Sequence, residues 1–557
     1  MLEPELTTEG GLRIAVEGCG HGKLHDIYAS VEKSCELKGW PSVDLLIIGG
    51  DFQAVRNALD LKAVSMPEKY YDMADFHEYY SGNRTAPYLT IFIGGNHEAS
   101  NHMWELYYGG WAAPNIYYMG AANVIRLGPL RIAGLSGIWK GYDYRKAHYE
   151  RLPYNDKDVR SIYHVRELDA RKLLQIRSQV DIGLSHDWPN GMEWKGDYKQ
   201  LFRFKPYFEK DARAGSLGNI AATEVLEHLR PAHWFSAHMH ARYTATWEHT
   251  DWQPDEAPKA SAGGPFKITN KDEIELGIED DAPSVAPKND AEIDIDMEDD
   301  TPAVAPKNDA EMDLDMKDDE PAEPVAAANT STKVSGKKPD VSQNVRALLP
   351  ESFAKAPKRE PKIVLPFPTE ITNKTTRFLA LDKCLPNRHF LQLLEVQPHK
   401  PAEFTRPLRL EYDAEWLAIT RLFADHLVLG NPGAHVPADK GDGAYRPLIE
   451  KELEWVEKNI VQAGKMTIPE DFERTAPVHN PADDIYAPGT PQEYTNPHTQ
   501  GFCKLLQIAN PFHASDEQRA KLMQNGPRGG PTREDWGRGG GGGRGDRGGR
   551  GRRRARR

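Results

Sequence analysis

Long hydrophobic runs are missing from this sequence. No stretch reaches the ~18 consecutive apolar residues that a membrane-spanning helix needs, so no membrane role is expected. Cysteine is scarce: four in 557 residues, widely spaced at Cys19, Cys35, Cys384 and Cys503. That excludes a disulfide framework and points to a reducing compartment, cytosol or nucleus. The first eleven residues lack the basic and apolar regions of a secretory signal, so none is expected. A uniform charge is lacking too. The net −13 hides 20 Asp/Glu against 4 Lys in residues 271–320 and 11 Arg against 3 acidic residues in 525–557. The overall sign therefore excludes no anionic ligand.

What is present divides the chain, whose length allows three or four domains. Residues 1–250 read as an α/β unit. Apolar runs recur at Leu12–Glu17, Asp44–Ile48, Tyr88–Ile93, Val124–Leu127 with Leu130–Ala133, Val180–Leu184 and His233–Ser236, as expected of strands buried on both faces. Leu24, Ile27, Tyr28, Val31 and Cys35 fall on one helical face, with Gly39 as the stop. Residues 251–360 read as an acidic, disordered linker in which the segment Ala286 to Glu292 (Ala-Pro-Lys-Asn-Asp-Ala-Glu) recurs at Ala305 to Glu311. An alternative role for that acidic arm is to shield a basic surface elsewhere on the chain.

Residues 361–515 read as a smaller mixed module packed on the first. It has strands at Arg377–Leu381 and Phe390–Val396 and helices through Trp416, Ile419, Thr420, Phe423 and Leu427, then Ile449, Leu453, Val456 and Ile460. No catalytic cluster is evident there. Residues 516–557 read as a disordered tail, Arg/Gly-rich from Asn525. Such segments bind RNA by charge and guanidinium stacking, and the tail's final six residues resemble a nuclear-import signal. The nucleus, with shuttling to the cytoplasm, is the expected location; a merely solubilising tail is the alternative.

One design repeats five times in the α/β half. An apolar strand ends, and residues of metal-ligand type follow at once. These are Gly18-Cys19-Gly20-His21, Gly49-Gly50-Asp51, Gly94-Gly95-Asn96-His97-Glu98, Ser185-His186-Asp187 and Ala237-His238-Met239-His240. In open α/β sheets ligands bind outside the carboxyl ends of the strands, so five such ends can converge. Singly, a Gly-Asp is a turn and a histidine after a strand a loop residue. The ordered set is far more specific.

This order resembles the calcineurin-like metallophosphoesterase family over roughly residues 12–243. The resemblance implies a four-layered α/β/β/α sandwich holding one or two divalent ions. His21, Asp51 and His240, with Cys19 at one corner, would hold the first. Asp51, Asn96, His186 and His238 would hold the second. His97 would be the histidine beside the cage that donates a proton, so that His97, Asp51 and Asn96 form the catalytic set.

Most of that family carries Asp where Cys19 stands. Cysteine there, together with Trp111–Gly120, Gly134–Glu150, Ser161–Arg166, Ser185–Pro189 and Phe378–Pro386, resembles the lariat debranching branch. A thiolate favours Zn²⁺ or Fe²⁺ over Mg²⁺, and Mn²⁺ is a further candidate. A buried, inert thiol is the plainer alternative, as is a weakly held ion at Cys19. The resemblance implies hydrolysis of the 2′-5′ phosphodiester at the branch point of intron lariats, with branched RNA as substrate. Spliceosome-disassembly or RNA-turnover proteins are the partner classes it suggests, and the oligomeric state stays open. A substrate clamp is expected over 134–166, from Gly134, Ile138, Trp139, Lys140, Tyr142, Tyr144, Arg145, Lys146, His148, Tyr149 and Arg160, with Arg151 and Arg166 as further cations. Two other functions remain on the residues alone: a generic dinuclear phosphodiesterase or phosphatase, and an RNA-binding scaffold on an inactive fold.

Overall fold

The computed structural model describes residues 5–7, 11–250 and 362–529. The acidic repeat and the Arg/Gly run from residue 530, including the basic final residues, lie outside the described residues.

The strands, in chain order, are β1 (Glu5–Thr7), β2 (Leu12–Glu17), β3 (Leu45–Ile48), β4 (Thr90–Phe92), β5 (Gly110–Ala113), β6 (Ile116–Tyr118), β7 (Ala122–Leu127) and β8 (Leu130–Leu135). They continue with β9 (Ile182–Ser185), β10 (His233–Ser236), β11 (Tyr243–Glu248), β12 (Thr375–Ala380), β13 (Leu391–Val396), β14 (Phe404–Arg406) and β15 (Leu410–Tyr412). A six-stranded sheet has the order β13-β2-β3-β4-β6-β5, and a seven-stranded sheet the order β11-β12-β10-β9-β8-β7-β15. The metal-ligand loops follow strands β2, β3 and β4, mutually parallel in one sheet, and β9 and β10, parallel in the other.

Period-two alternation sorts the apolar side chains. Leu12, Ile14 and Val16 of β2, with Leu45 and Ile47 of β3, join one large core with Ile132, Leu184, Trp234 and Phe378 of the other sheet. The alternate residues Ala15, Leu46 and Ile48 face a second core that contains Leu24, Ile27, Tyr28, Val31 and Cys35. These last five are the buried face of helix Leu24–Lys38, which ends at Gly39 with φ +68°. One sheet is thus covered by its partner sheet on one face and by a helix on the other, which explains why its strands read as continuous apolar runs. Each such fully buried Leu or Ile contributes roughly 1.5–3 kcal/mol.

The residues assigned to a smaller C-terminal module do not form a sheet among themselves. β12 is inserted between β10 (parallel, Phe235 opposite Leu379) and β11 (antiparallel, Ala245 opposite Phe378). β13 adds to the edge of β2, and β15 to the edge of β7. Asp413, the N-cap of helix Ala414–Phe423, is tied to buried Arg131 of β8 at 2.7 Å. The second expected helix runs Asp442–Val456 and continues as a π-helical segment, Glu457–Val461. The reading of a structureless tail from residue 516 is corrected. Asp516–Asn525 is a helix closed by a reciprocal cap between Ser515 and Gln518.

Candidate metal centre and its surroundings

Four of the ligand-type residues adopt left-handed backbone conformations: His21 (φ +40°), Asp51 (+47°), His238 (+62°) and His240 (+45°). Such positions are costly for non-glycine residues and concentrate at functional sites. Their effect is to fold each loop back over the strand ends. The glycines beside them are needed for close approach. A Cβ on Gly95 would lie 2.2 Å from Asp51 Oδ1, and one on Gly50 2.2 Å from His186 Nδ1.

Cys19, His21, Asp51 and His240 offer donor atoms that all lie within 4.8 Å of one another. His21 Nε2 and His240 Nε2 are only 3.2 Å apart, so both rings aim at one point. His21 Nε2 is 3.8 Å from Asp51 Oδ2. Cys19 is fully buried, and its Sγ accepts from the His238 backbone N–H at 3.2 Å, a bond that favours thiolate character.

Asp51 turns its other oxygen to a second group. His186 Nε2 is 3.4 Å from Asp51 Oδ1, and the His186 and His238 ring centroids are 5.0 Å apart. His186 Nδ1 lies 2.8 Å from the Gly49 carbonyl, which accepts its proton and leaves Nε2 as the bare nitrogen. His186 Nε2 and Asn96 Oδ1 are buried with no hydrogen-bond partner among the described residues. Buried polar atoms are rarely left unmet. Two orphaned donor atoms flanking a carboxylate are what a cation site requires, so the residues fit two divalent ions sharing Asp51. Burial opposes ionisation of Asp51, yet His186, His97 and His21 hold its carboxyl well below the usual range. Burial likewise opposes protonation of His186, but Asp51 raises its pKa to about 9 in the metal-free protein.

His97 is buried, and its backbone N–H donates to Asp51 Oδ1 at 2.8 Å; its ring centroid is 5.7 Å from that of His21. Two acids that the sequence reading gave no role complete the centre. Glu98 accepts from the backbone N–H groups of Phe52, Gln53 and Gly95 at 2.8, 2.9 and 3.0 Å, and so clamps the Asp51 and Asn96 loops together. Burial and the Asp51 charge push its carboxyl up to about 7. Glu17, at the end of β2, is fully buried with neither carboxyl oxygen partnered, and burial drives its pKa well up. Its place directly before the Gly-Cys-Gly-His loop was the available signal.

The structure divides the expected 134–166 clamp. Tyr142, Arg145, Lys146 and Arg160 are exposed; Trp139, Lys140, Tyr144 and Tyr149 are half-buried. Gly134 is removed from the set: it lies inside β8, where a Cβ would sit 3.0 Å from Ile93. Ile138 is buried. Arg166, also read as a phosphate-binding cation, is buried and committed to Glu150 at 2.6 Å. His148 is buried against Asp169 at 3.0 Å. The segment is held from the far end of the chain. Arg528 donates to the Tyr149 carbonyl and lies 3.1 Å from Asp158, while Asn155 donates to the Arg528 carbonyl at 3.0 Å.

Comparison with known proteins adds a consistent result. The model of the calcineurin-like phosphoesterase family matches residues 12–242, and the model of the lariat debranching enzyme C-terminal domain matches residues 373–511. The lariat debranching enzyme of Schizosaccharomyces pombe is 37% identical over 500 residues, covering 89% of this chain and 96% of the relative. That of Drosophila melanogaster is 42% identical over 510 residues, covering 90% and 78%. That of Homo sapiens is 35% identical over 503 residues, covering 89% and 69%.

Proposed function

The chain belongs to the lariat debranching enzyme family, and on that premise we propose that it hydrolyses the 2′-5′ phosphodiester at the branch point of lariat RNA. The observation that carries the reading is the paired donor set around Asp51, with His186 Nε2 and Asn96 Oδ1 left unmet, beside a segment of exposed aromatics and cations. Cys19, His21, Asp51 and His240 hold one divalent ion; Asp51, Asn96, His186 and His238 hold the other. The thiolate at Cys19 favours Zn²⁺ or Fe²⁺ over Mg²⁺ at that position. When bound, divalent metal supplies Lewis acidity toward the phosphoryl oxygens and makes coordinated water acidic near neutral pH.

The protein's own groups do the rest. Glu98 and Gly95 fix the two loops so that Asp51 presents one oxygen to each half of the cage. His97 carries the proton that the departing 2′ oxygen of the branch nucleotide takes up. Tyr142, Arg145, Lys146 and Arg160 hold flanking nucleotides by stacking and charge. The basic final residues favour a nuclear location.

The test is a branched oligonucleotide carrying one 2′-5′ and one 3′-5′ bond on the same residue, offered beside a linear control. Release of the 2′-linked arm alone, lost on chelation and restored by Zn²⁺, Fe²⁺ or Mn²⁺, is expected. Equal cleavage of linear RNA or of a phosphomonoester would replace the reading with a generic phosphoesterase. RNA binding without cleavage would indicate a scaffold.

A further inference from the structure

A recess of about 550 Å³, open on one side, adjoins the metal cage. Gly94 and Gly95, the residues immediately before Asn96 and His97, form part of its wall. Trp104, Tyr107 and Tyr163 contribute aromatic surface. Its size is that of a small-ligand cleft.

The recess is close to charge-neutral. Arg166 lines it, but its guanidinium is committed to Glu150 at 2.6 Å and to the Asp143 carbonyl at 3.0 Å. Lys172 behind it is matched by Asp169 at 3.0 Å. A phosphate would find no spare cation there. A flat, neutral, polar-edged group would find stacking surface.

Two polar atoms are unmet. His148 Nε2 lies 3.0 Å from Asp169 Oδ2; a carboxylate only accepts, so Nε2 carries the proton and Nδ1 is a bare acceptor. Nδ1 is buried with no partner among the described residues, in a side chain 5% exposed. The Trp104 ring stands edge-on to His148 at 5.1 Å and holds it in place. Arg166 Nε, a donor, is likewise buried and unmet. An unmet acceptor and an unmet donor in an aromatic-walled recess are complementary to a base edge that pairs an exocyclic amine with a ring nitrogen.

We propose that this recess seats one nucleobase of the branched RNA, a base carrying an exocyclic amine, next to the scissile linkage. The amine donates to His148 Nδ1, and a ring acceptor of the same base takes the Arg166 Nε proton. His148 is then a specificity-determining residue, oriented by Asp169, rather than a phosphate contact. The proposal rests on branched RNA being the substrate.

The experiment measures binding of the metal-loaded enzyme to branched RNA made resistant by a phosphorothioate at the 2′-5′ bond. Each base around the branch is removed in turn. At the sensitive position, adenine is then replaced by purine, which lacks only the amine. The expected result is one position where base removal raises Kd at least tenfold and amine removal raises it several-fold. His148→Leu should abolish the effect of the amine while leaving metal content and aryl phosphodiester hydrolysis unchanged. Uniform Kd values across the series overturn the proposal, as does undiminished amine sensitivity in a folded His148→Leu enzyme. If that variant does not fold, the wild-type series decides alone. Failure of the substrate reading is separately visible, as absence of cleavage of the unmodified branched RNA.

Discussion

His97→Ala separates proton delivery from metal holding. His97 touches Asp51 only through its backbone N–H, which alanine retains. Turnover of branched RNA should fall by about 10²–10⁴, the usual contribution of a general acid. Metal content measured on the same sample should stay at the wild-type level. Near wild-type turnover would remove His97 from the chemistry. His102 sets a different, pH-dependent term. It is buried, with Nδ1 3.0 Å from the Ala54 carbonyl, and burial together with nearby Arg56 lowers its pKa to about 3. At pH above 6.5 the ring is neutral in folded and unfolded chains, so stability is complete. As pH falls below 6.5 the unfolded chain takes up a proton that the folded ring refuses, down to about pH 3. The cost is about 1.4 kcal/mol per pH unit. Metal loss also weakens the fold in acid, so the comparison is with His102→Asn. Urea unfolding between pH 7.5 and 5.5 should give the variant a slope shallower by about that amount below pH 6.5. Equal slopes would show that another group is responsible.

The 134–166 segment reaches the surface with its aromatics and cations, yet its middle is pinned by Gly526–Arg528. Arg528→Ala removes a charge-assisted contact to Asp158 and a bond to the Tyr149 carbonyl. Hydrogen exchange in 149–158 should rise, and KM for branched RNA should increase a few-fold, the equivalent of about one hydrogen bond. Metal content should not change. Unchanged exchange would mean the clamp is redundant. At this scale it is also plain what could be read beforehand. Each apolar run that ended in glycine and a ligand-type residue was a strand with its loop, because a buried parallel strand and its functional end are both local in sequence. β5, β6 and β11 were not anticipated. Gly110–Ala113 is small-residue-rich, β6 is only three residues long, and β11 alternates buried and exposed residues in a stretch otherwise marked by histidines. Glu98 stood in view within Asn-His-Glu, but its grip on the Phe52 and Gln53 amides joins loops 46 residues apart, and no periodicity signals that. The same is true of His148 and Asp169.

The two halves of the chain share sheets, so neither should fold alone. Residues 1–250 expressed by themselves lack the strand between β10 and β11 and the edges that cover β2 and β7. That fragment should be insoluble or unfolded by circular dichroism, and co-expression with residues 362–529 should restore metal binding. A folded, metal-binding 1–250 fragment would contradict this. The intervening stretch has the opposite character. Glu248 and Thr375 are paired neighbours across β11 and β12, so the excursion begins and ends at one place. Deleting residues 253–358 shortens a loop whose ends are already together, and loop-closure entropy then favours the shorter chain by about 1–2 kcal/mol. Its thermal midpoint should be unchanged or higher, and a large fall would reveal a structural role for the acidic repeat.

That interleaving also imposes an order on synthesis. A ribosome that has released β11 has produced a sheet with a vacant slot and a second sheet with a bare rim. Both are templates for stray strands from other chains. Only when translation has passed Tyr412 are the slot and the rims filled, so the acidic stretch sets the delay during which the nascent protein must be kept from its neighbours.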